Sequence, residues 1–253
     1  MDFRIRYVGE VDSTNTRVKA LAQEGEREGL VLVADRQTAG YGRHARVFFS
    51  PDWSGLYFSL LLRPRCEVTR LPMLTVAAAV ALSRAAEAVS GRRTEIKWVN
   101  DVYLDGKKLA GILVESALCA DGTPDYAVLG IGINLFPPEG GFPARLSGAT
   151  ALFDPSEREA FLARRDELLS AFLRELTPLY ANLSSLCFVE EYRRRSFLIG
   201  KEVRVFSAAE DAERAGEGRP ALVLDVTADA SLLVRYGDGT EAALSSAEVT
   251  LSL

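Results

Sequence analysis

The period of the apolar pattern changes along the chain, and each change marks an element. Val18, Leu21 and Ala22 recur at helical spacing. Ser13, Thr14 and Asn15 stand before them as an N-cap, and Gly25 supplies the stop. The unbroken run LVLVADRQ from Leu30 predicts a buried strand, and LYFSLLLRP predicts another that ends at Pro64. Leu71, Leu74, Ala78, Leu82, Ala85 and Val89 then line one side of an Ala-rich helix closed by Gly91. Residues 94–116 read as a hairpin, with Val102, Tyr103 and Leu104 on one arm and an apolar run over 109–114 on the other. Asp105-Gly106 accepts the positive φ of the turn between them. YAVLGIGINL, over 126–135, is a strand in which Gly130 and Gly132 remove side chains from the sheet centre.

Residues 136–153, rich in Pro, Gly and Ala, predict a long loop. Asp154-Pro155-Ser156-Glu157 opens a helix with a cap, a first-turn proline and a capping-box glutamate. Its apolar stripe runs from Phe161 to Leu176, and Pro178 is expected to interrupt it. A short helix over 187–195 follows, with Arg193, Arg194 and Arg195 expected as a solvated end. From Gly200 the texture shifts to short, closely spaced strands: EVRVF, ALVLDVT, SLLVRYGDGTEAAL and EVTLSL. That spacing predicts a small β-barrel of roughly fifty residues, with a mobile loop across 210–219.

Composition narrows the function without naming it. A net charge of −5 and a pI near 5.2 argue against wholesale binding to nucleic acid or anionic membrane. Cys66, Cys119 and Cys187 form no CxxC pair and fit reduced thiols of a cytoplasmic protein. The N-terminus lacks the apolar core of a signal peptide, and no uninterrupted apolar run spans a bilayer. His44 is the single histidine, which leaves little room for a His-based triad or a His-rich metal site.

Chemistry gathers in two places. Lys97, Trp98, Asn100, Asp101, Lys107 and Lys108 bunch at one end of an otherwise apolar hairpin, and Gly111 interrupts its returning strand. The segment TAGYGRHARVFFSP sets Gly40 and Gly42 beside Arg43, His44 and Arg46. Such a loop can wrap a phosphate with amides and guanidinium forks, and it reads equally well as a flexible surface loop. It is not a Walker loop, because no Gly-Lys-Ser/Thr follows. Asn134, at a strand exit, suits either a backbone-satisfied amide or a ligand-facing one.

Taken in order, these pieces resemble the biotin–protein ligases. The landmarks are DSTN at 12–15, RQTAGYGRHAR at 36–46, KWVNDVYLDGKKLAGILVE at 97–115 and GIGINL at 130–135. The family's usual GRGRRGR is here GYGRHAR, with Tyr41, His44 and Ala45 substituted, and Val99 stands where the family has proline. The resemblance implies an α+β fold: a mixed-sheet catalytic domain over 1–198, flanked by helices, and an SH3-like barrel over 199–253. It implies ATP-dependent formation of biotinyl-5′-AMP and transfer of biotin to a lysine of a biotin carboxyl carrier protein domain, such as that of acetyl-CoA carboxylase. Mg²⁺ is the expected activator and no tightly bound cofactor is expected.

By the same resemblance Lys108, Arg43 and Asp101 are catalytic candidates. Ser13, Thr14, Asn15, Gln37, Gly40, Tyr41, Gly42, Arg43, Lys108 and Gly111 are candidates for biotin. Arg43, Arg46, Trp98, Asn100, Lys108 and Asn134 are candidates for the nucleotide. The loop over 38–49 is expected to be mobile until biotin or the adenylate orders it. Only about a dozen residues precede the DSTN landmark, too few for the winged helix of the repressor members, so specific DNA binding is not expected. A homodimer stays open. A lipoate-type ligase and a non-catalytic biotin sensor are the competing readings.

Overall fold

The computed structural model describes residues 1–207, 218–245 and 249–252. A seven-stranded mixed sheet carries the larger part of the molecule. Its strands are β1 (Arg4–Val11), β2 (Leu30–Gln37), β3 (Gly55–Leu62), β4 (Glu95–Lys97), β5 (Asp101–Leu104), β6 (Lys107–Leu118) and β7 (Pro124–Asn134). They lie in the order β1-β2-β3-β7-β6-β5-β4. Only β1 and β2 run parallel, joined by the crossover helix α1 (Thr14–Gln23); every other pair is antiparallel.

The period-2 alternation along the strands explains the layers. Val31 and Val33 of β2, with Leu56, Phe58, Leu60 and Leu62 of β3, face the main core. There α2 (Met73–Ser90) and α3 (Phe161–Ala181) cover the sheet. Leu30, Leu32 and Leu61 point the other way, to Val18 and Ala22 of α1. With both faces covered, β3 has no exposed residue.

The segment Val68–Ser90, which contains α2, is long and apolar enough to cross a membrane by length and composition, although Arg70 and Arg84 interrupt its apolar run. Its apolar residues pack in the core, and 67% of the window is buried. One sequence expectation about helices is corrected: Pro178 does not end its helix, and α3 continues to Ala181. A proline three residues from the helix end costs one backbone hydrogen bond, and the packing of Leu173, Leu176 and Leu179 outweighs it here. The Asp154 cap and first-turn proline are present, with Asp154 accepting from the Ser156 amide, but the turn is 3₁₀ over Pro155–Ala160 and the Glu157 carboxylate accepts from Arg164 instead of closing a capping box.

The arginine run closing α4 (Val189–Arg195) is only in part the solvated end expected: Arg194 is exposed, while Arg193 and Arg195 are bound. Arg195 binds both carboxylate oxygens of Glu87 on α2, at 2.6 and 3.0 Å, and Glu191 on its own helix. Arg193 forks onto Asp225 of a second sheet. That sheet is five-stranded and antiparallel, made of β8 (Glu202–Ser207), β9 (Arg219–Val226), β10 (Leu232–Tyr236), β11 (Glu241–Leu244) and β12 (Val249–Ser252). The predicted strands are therefore present. The loop expected over 210–219 lies largely outside the described residues, and Arg219 already belongs to β9.

Candidate active site

One cavity, with a volume of about 180 Å³, opens where α1, the loop after β2 and the β4–β5–β6 hairpin converge. Its wall separates into a neutral hydrogen-bonding end and a cationic end.

The neutral end is built by the first turn of α1. Ser13 occupies the N-cap position with extended backbone but makes no side-chain capping bond, so the expected cap is not what these residues provide. Thr14 and Asn15 are instead buried in the first helical turn. The Thr14 amide and hydroxyl both donate to Gln37 Oε1, at 2.9 and 3.1 Å. A backbone N–H can only donate, so the Gln37 amide is fixed with Nε2 toward Ser50 Oγ, 3.1 Å away. Ser59 of β3 bridges Thr14 Oγ1 at 2.8 Å and Asn15 Oδ1 at 2.5 Å. Asn15 Nδ2 donates to Glu115 Oε2 at 2.8 Å.

Glycines make this end possible. A Cβ on Gly130 would lie 2.8 Å from Asn15 Cγ, and one on Gly132 would lie 2.6 Å from Phe48 Cζ. Gly40 serves the same purpose, since its Cβ would meet Gln37 Nε2 and Ser50 Oγ at 2.9 Å. Its backbone is not left-handed, and nor is that of Gly42; the positive φ values of this loop fall on His44 and Ala45, at 55° and 56°.

The cationic end is carried by the hairpin and the loop. Lys108 Nζ lies 2.8 Å from Asp101 Oδ1 across the β5–β6 pair. The Asp105-Gly106 turn that brings the two strands together has positive φ at both residues, as predicted. Arg43, Arg46 and Lys97 join Lys108 on the wall, and Asp101 is the one carboxylate among the residues lining it. Burial draws the Lys97 ammonium down from its ordinary range, and Lys108 and Arg46 push the same way against Asp101. Burial likewise lowers Arg43, with Asp101 opposing. Charge packed this way is stabilised by an anion placed among the cations.

Of the residues the sequence singled out, Ser13, Thr14, Asn15, Gln37, Tyr41, Gly42, Arg43, Arg46, Trp98, Asn100, Asp101, Lys108 and Gly111 line this cavity together. Asn134 does not; its amide donates to Thr150 O at 2.9 Å and pins the loop after β7. Gly40 lies behind the wall. Asn100 also binds backbone, donating to Ile112 O at 2.9 Å. Trp98, joined to Val99 by a cis peptide bond, donates its indole N–H to Ala230 O, between β9 and β10 of the second sheet, at 2.8 Å. Sequence reasoning placed Lys97 in the polar cluster without a role, and it did not single out Phe48, Ser59 or Glu115. Glu115 sat inside a quoted landmark, and that position was the one available signal.

This chain belongs to the biotin/lipoate A/B protein ligase family, whose pattern matches residues 8–134. It is 34% identical over 214 residues to the biotin–[acetyl-CoA-carboxylase] ligase of Mycobacterium tuberculosis, covering 80% of this chain and 74% of that one. It is 40% identical over 151 residues to the bifunctional ligase/repressor BirA of Bacillus spizizenii, covering 59% of this chain. That match spans about half of the relative, 46% of its length. In three dimensions the chain is similar to the biotin protein ligase of Aquifex aeolicus in complex with biotin and ATP. The TM-score is 0.72 at 26% identity, over 98% of each chain.

Proposed function

We propose that the protein is an ATP-dependent biotin–protein ligase that makes biotinyl-5′-AMP and passes biotin to a lysine of a biotin carboxyl carrier protein domain. The observation that carries this reading is the division of one cavity into a fixed donor–acceptor end and a cationic end. The ureido ring of biotin needs oriented donors and acceptors, which Thr14, Asn15 and Gln37 supply. The carboxylate and the ATP α-phosphate repel each other, and Lys108, Arg43, Arg46 and Lys97 offset that repulsion.

In the first step a biotin carboxylate oxygen bonds to the α-phosphorus while the bond to the pyrophosphate oxygen breaks. Lys108 is suited to bridge the two anions, with Asp101 holding its ammonium. In the second step a neutral acceptor amine attacks the acyl carbon and AMP leaves with the bonding electrons. Asp101 is suited to orient that amine or to take its proton, giving an amide. The Gly/Arg loop would keep water from the mixed anhydride.

Among the described residues no group of three His, Cys, Asp or Glu side chains could hold a metal, and Asp101 is engaged by Lys108. A Mg²⁺ carried in on the ATP phosphates would neutralise charge there. We further propose that the chain divides near residue 198, that the second sheet closes as an SH3-like barrel, and that the protein works in the cytoplasm without specific DNA binding.

Mass spectrometry of a carrier domain incubated with protein, biotin, ATP and Mg²⁺ tests the activity. A mass gain of one biotinyl group on lysine is expected. Modification by lipoate instead, or ligand binding without transfer, would replace the reading with one of its rivals.

A further inference from the structure

Glu115 sits on β6 behind the cavity wall and is not among the residues lining it. Three side chains nevertheless converge on its carboxylate. Lys19 of α1 donates to Oε1 at 2.6 Å, while Asn15 of α1 and Tyr41 of the loop both donate to Oε2 at 2.8 Å. Lys19 also donates to the Tyr41 hydroxyl at 2.9 Å, which closes the cluster. One carboxylate thus ties a helix start, a strand and the loop to each other.

The chemistry fixes more than distance. An ionised carboxylate only accepts, so Glu115 dictates that Asn15 turns Nδ2 toward it and Oδ1 toward Ser59. Without that acceptor the Asn15 amide could sit either way round, and its ligand-facing polarity would be undefined. Tyr41 is anchored by the same oxygen, so the ring and the amide are set together.

We propose that Glu115 is the positioning residue for the biotin end of the cavity, orienting the Asn15 amide and fixing the Tyr41 side of the loop. The proposal rests on the ligase reading above. Burial alone would raise the Glu115 carboxyl, but hydrogen bonds from Lys19, Asn15 and Tyr41 outweigh it and hold the group ionised. Glu115→Gln keeps the shape but leaves one acceptor oxygen and no charge where three donors converge on two oxygens, so it cannot hold Lys19, Asn15 and Tyr41 together. Tyr41→Phe is a milder variant that removes a single donor.

Two measurements on the full chain test the proposal. In biotin-dependent ATP–pyrophosphate exchange, Glu115→Gln should raise KM for biotin about tenfold, with kcat and KM for ATP within about twofold. Tyr41→Phe should raise KM for biotin by about threefold. Trypsin cleavage after Arg43 and Arg46, mapped by mass spectrometry without ligand, should be faster in both variants. An unchanged KM for biotin, or a fall in kcat alone, overturns the proposal. If the wild-type protein supports no exchange, the ligase reading falls. The cleavage rates then still decide the anchoring: faster cleavage supports it and equal rates overturn it.

Discussion

Gly132 lies beneath Phe48 so closely that a Cβ on the glycine would sit 2.6 Å from the ring's Cζ. The sheet gives up a side chain at its centre, and a ring from the loop after β2 lies in the space, edge-on to Tyr57 at 6.4 Å. That contact holds the inner end of the loop over the cavity. Gly132→Ala should therefore push Phe48 out and release the loop. Overpacking of this kind costs about 1–3 kcal/mol. The activity loss should exceed what the fall in melting temperature explains, because Phe48 lines the cavity. Equal exchange rates in Gly132→Ala and wild type would show that Phe48 holds nothing in place.

Lys108→Ala removes the cation that faces Asp101. Loss of one preorganised electrostatic group costs on the order of 10²–10³-fold in rate. The adenylation step should fall by that factor, measured as biotin-dependent pyrophosphate exchange. The fold should persist, because Lys108 sits on a hairpin arm with its side chain 38% exposed. An unimpaired exchange rate would remove Lys108 from the chemistry.

The hairpin, both core helices and the glycines at Gly130 and Gly132 were legible because local rules dictate them: turn chemistry, apolar period and the cost of a strand glycine. Most of the cationic wall was legible for a related reason, since charge bunched on a greasy ribbon has no structural purpose. Glu115 was not. A lone glutamate on a half-exposed strand looks like ordinary solvent-facing alternation, and its partners lie 74 to 100 residues away in the chain. Phe48 was hidden similarly, as one apolar residue inside the Gly/Arg loop segment. Pro178, Arg193 and Arg195 misled because local signals there were overridden by tertiary contacts.

The Glu87–Arg195 pair makes acid stability a test of the α2–α4 junction. Burial pushes the Glu87 carboxyl up, but bonds from Arg195 and the Thr94 amide outweigh it and hold the group below its ordinary 4.5. Glu191 is held down in the same way by Arg84 and Arg195. A lowered carboxyl contributes stability above its unfolded value and loses it as pH falls through its folded value. Glu87→Gln should thus cost about 2 kcal/mol near neutral pH, since a partly buried pair loses one partner. The gap to wild type should narrow as pH drops below about 4.5. Denaturant melts at pH 7 and pH 3.5 would measure it, and a gap independent of pH would exclude the ion pair as its source.

The loop over 38–49 is only partly the free segment its glycines suggest. Thr38 and Ala39 donate to Val11 O and Asp12 O at 2.9 and 2.8 Å, and Phe48 donates to Gly40 O at 2.8 Å. Both ends are thereby fastened, and the Gly42 amide is bonded to Arg46 O at 2.8 Å. What remains is the tip, where His44 and Ala45 hold left-handed backbone that costs a residue with a Cβ about 1–2 kcal/mol. Val47 beside them is 79% exposed. Ligand ordering should therefore be confined to this tip, at about 1–2 kcal/mol of entropy per residue fixed, offset by phosphate contacts to Arg43 and Arg46. Hydrogen exchange with and without biotinyl-5′-AMP should show new protection at amides 43–46, with amides 38, 39, 42 and 48 slow in both states. Arg43→Ala should abolish the new protection and let free adenylate escape, read as biotinyl-5′-AMP in the filtrate. If amides 43–46 are equally protected with and without the adenylate, the tip is not a lid that the ligand closes.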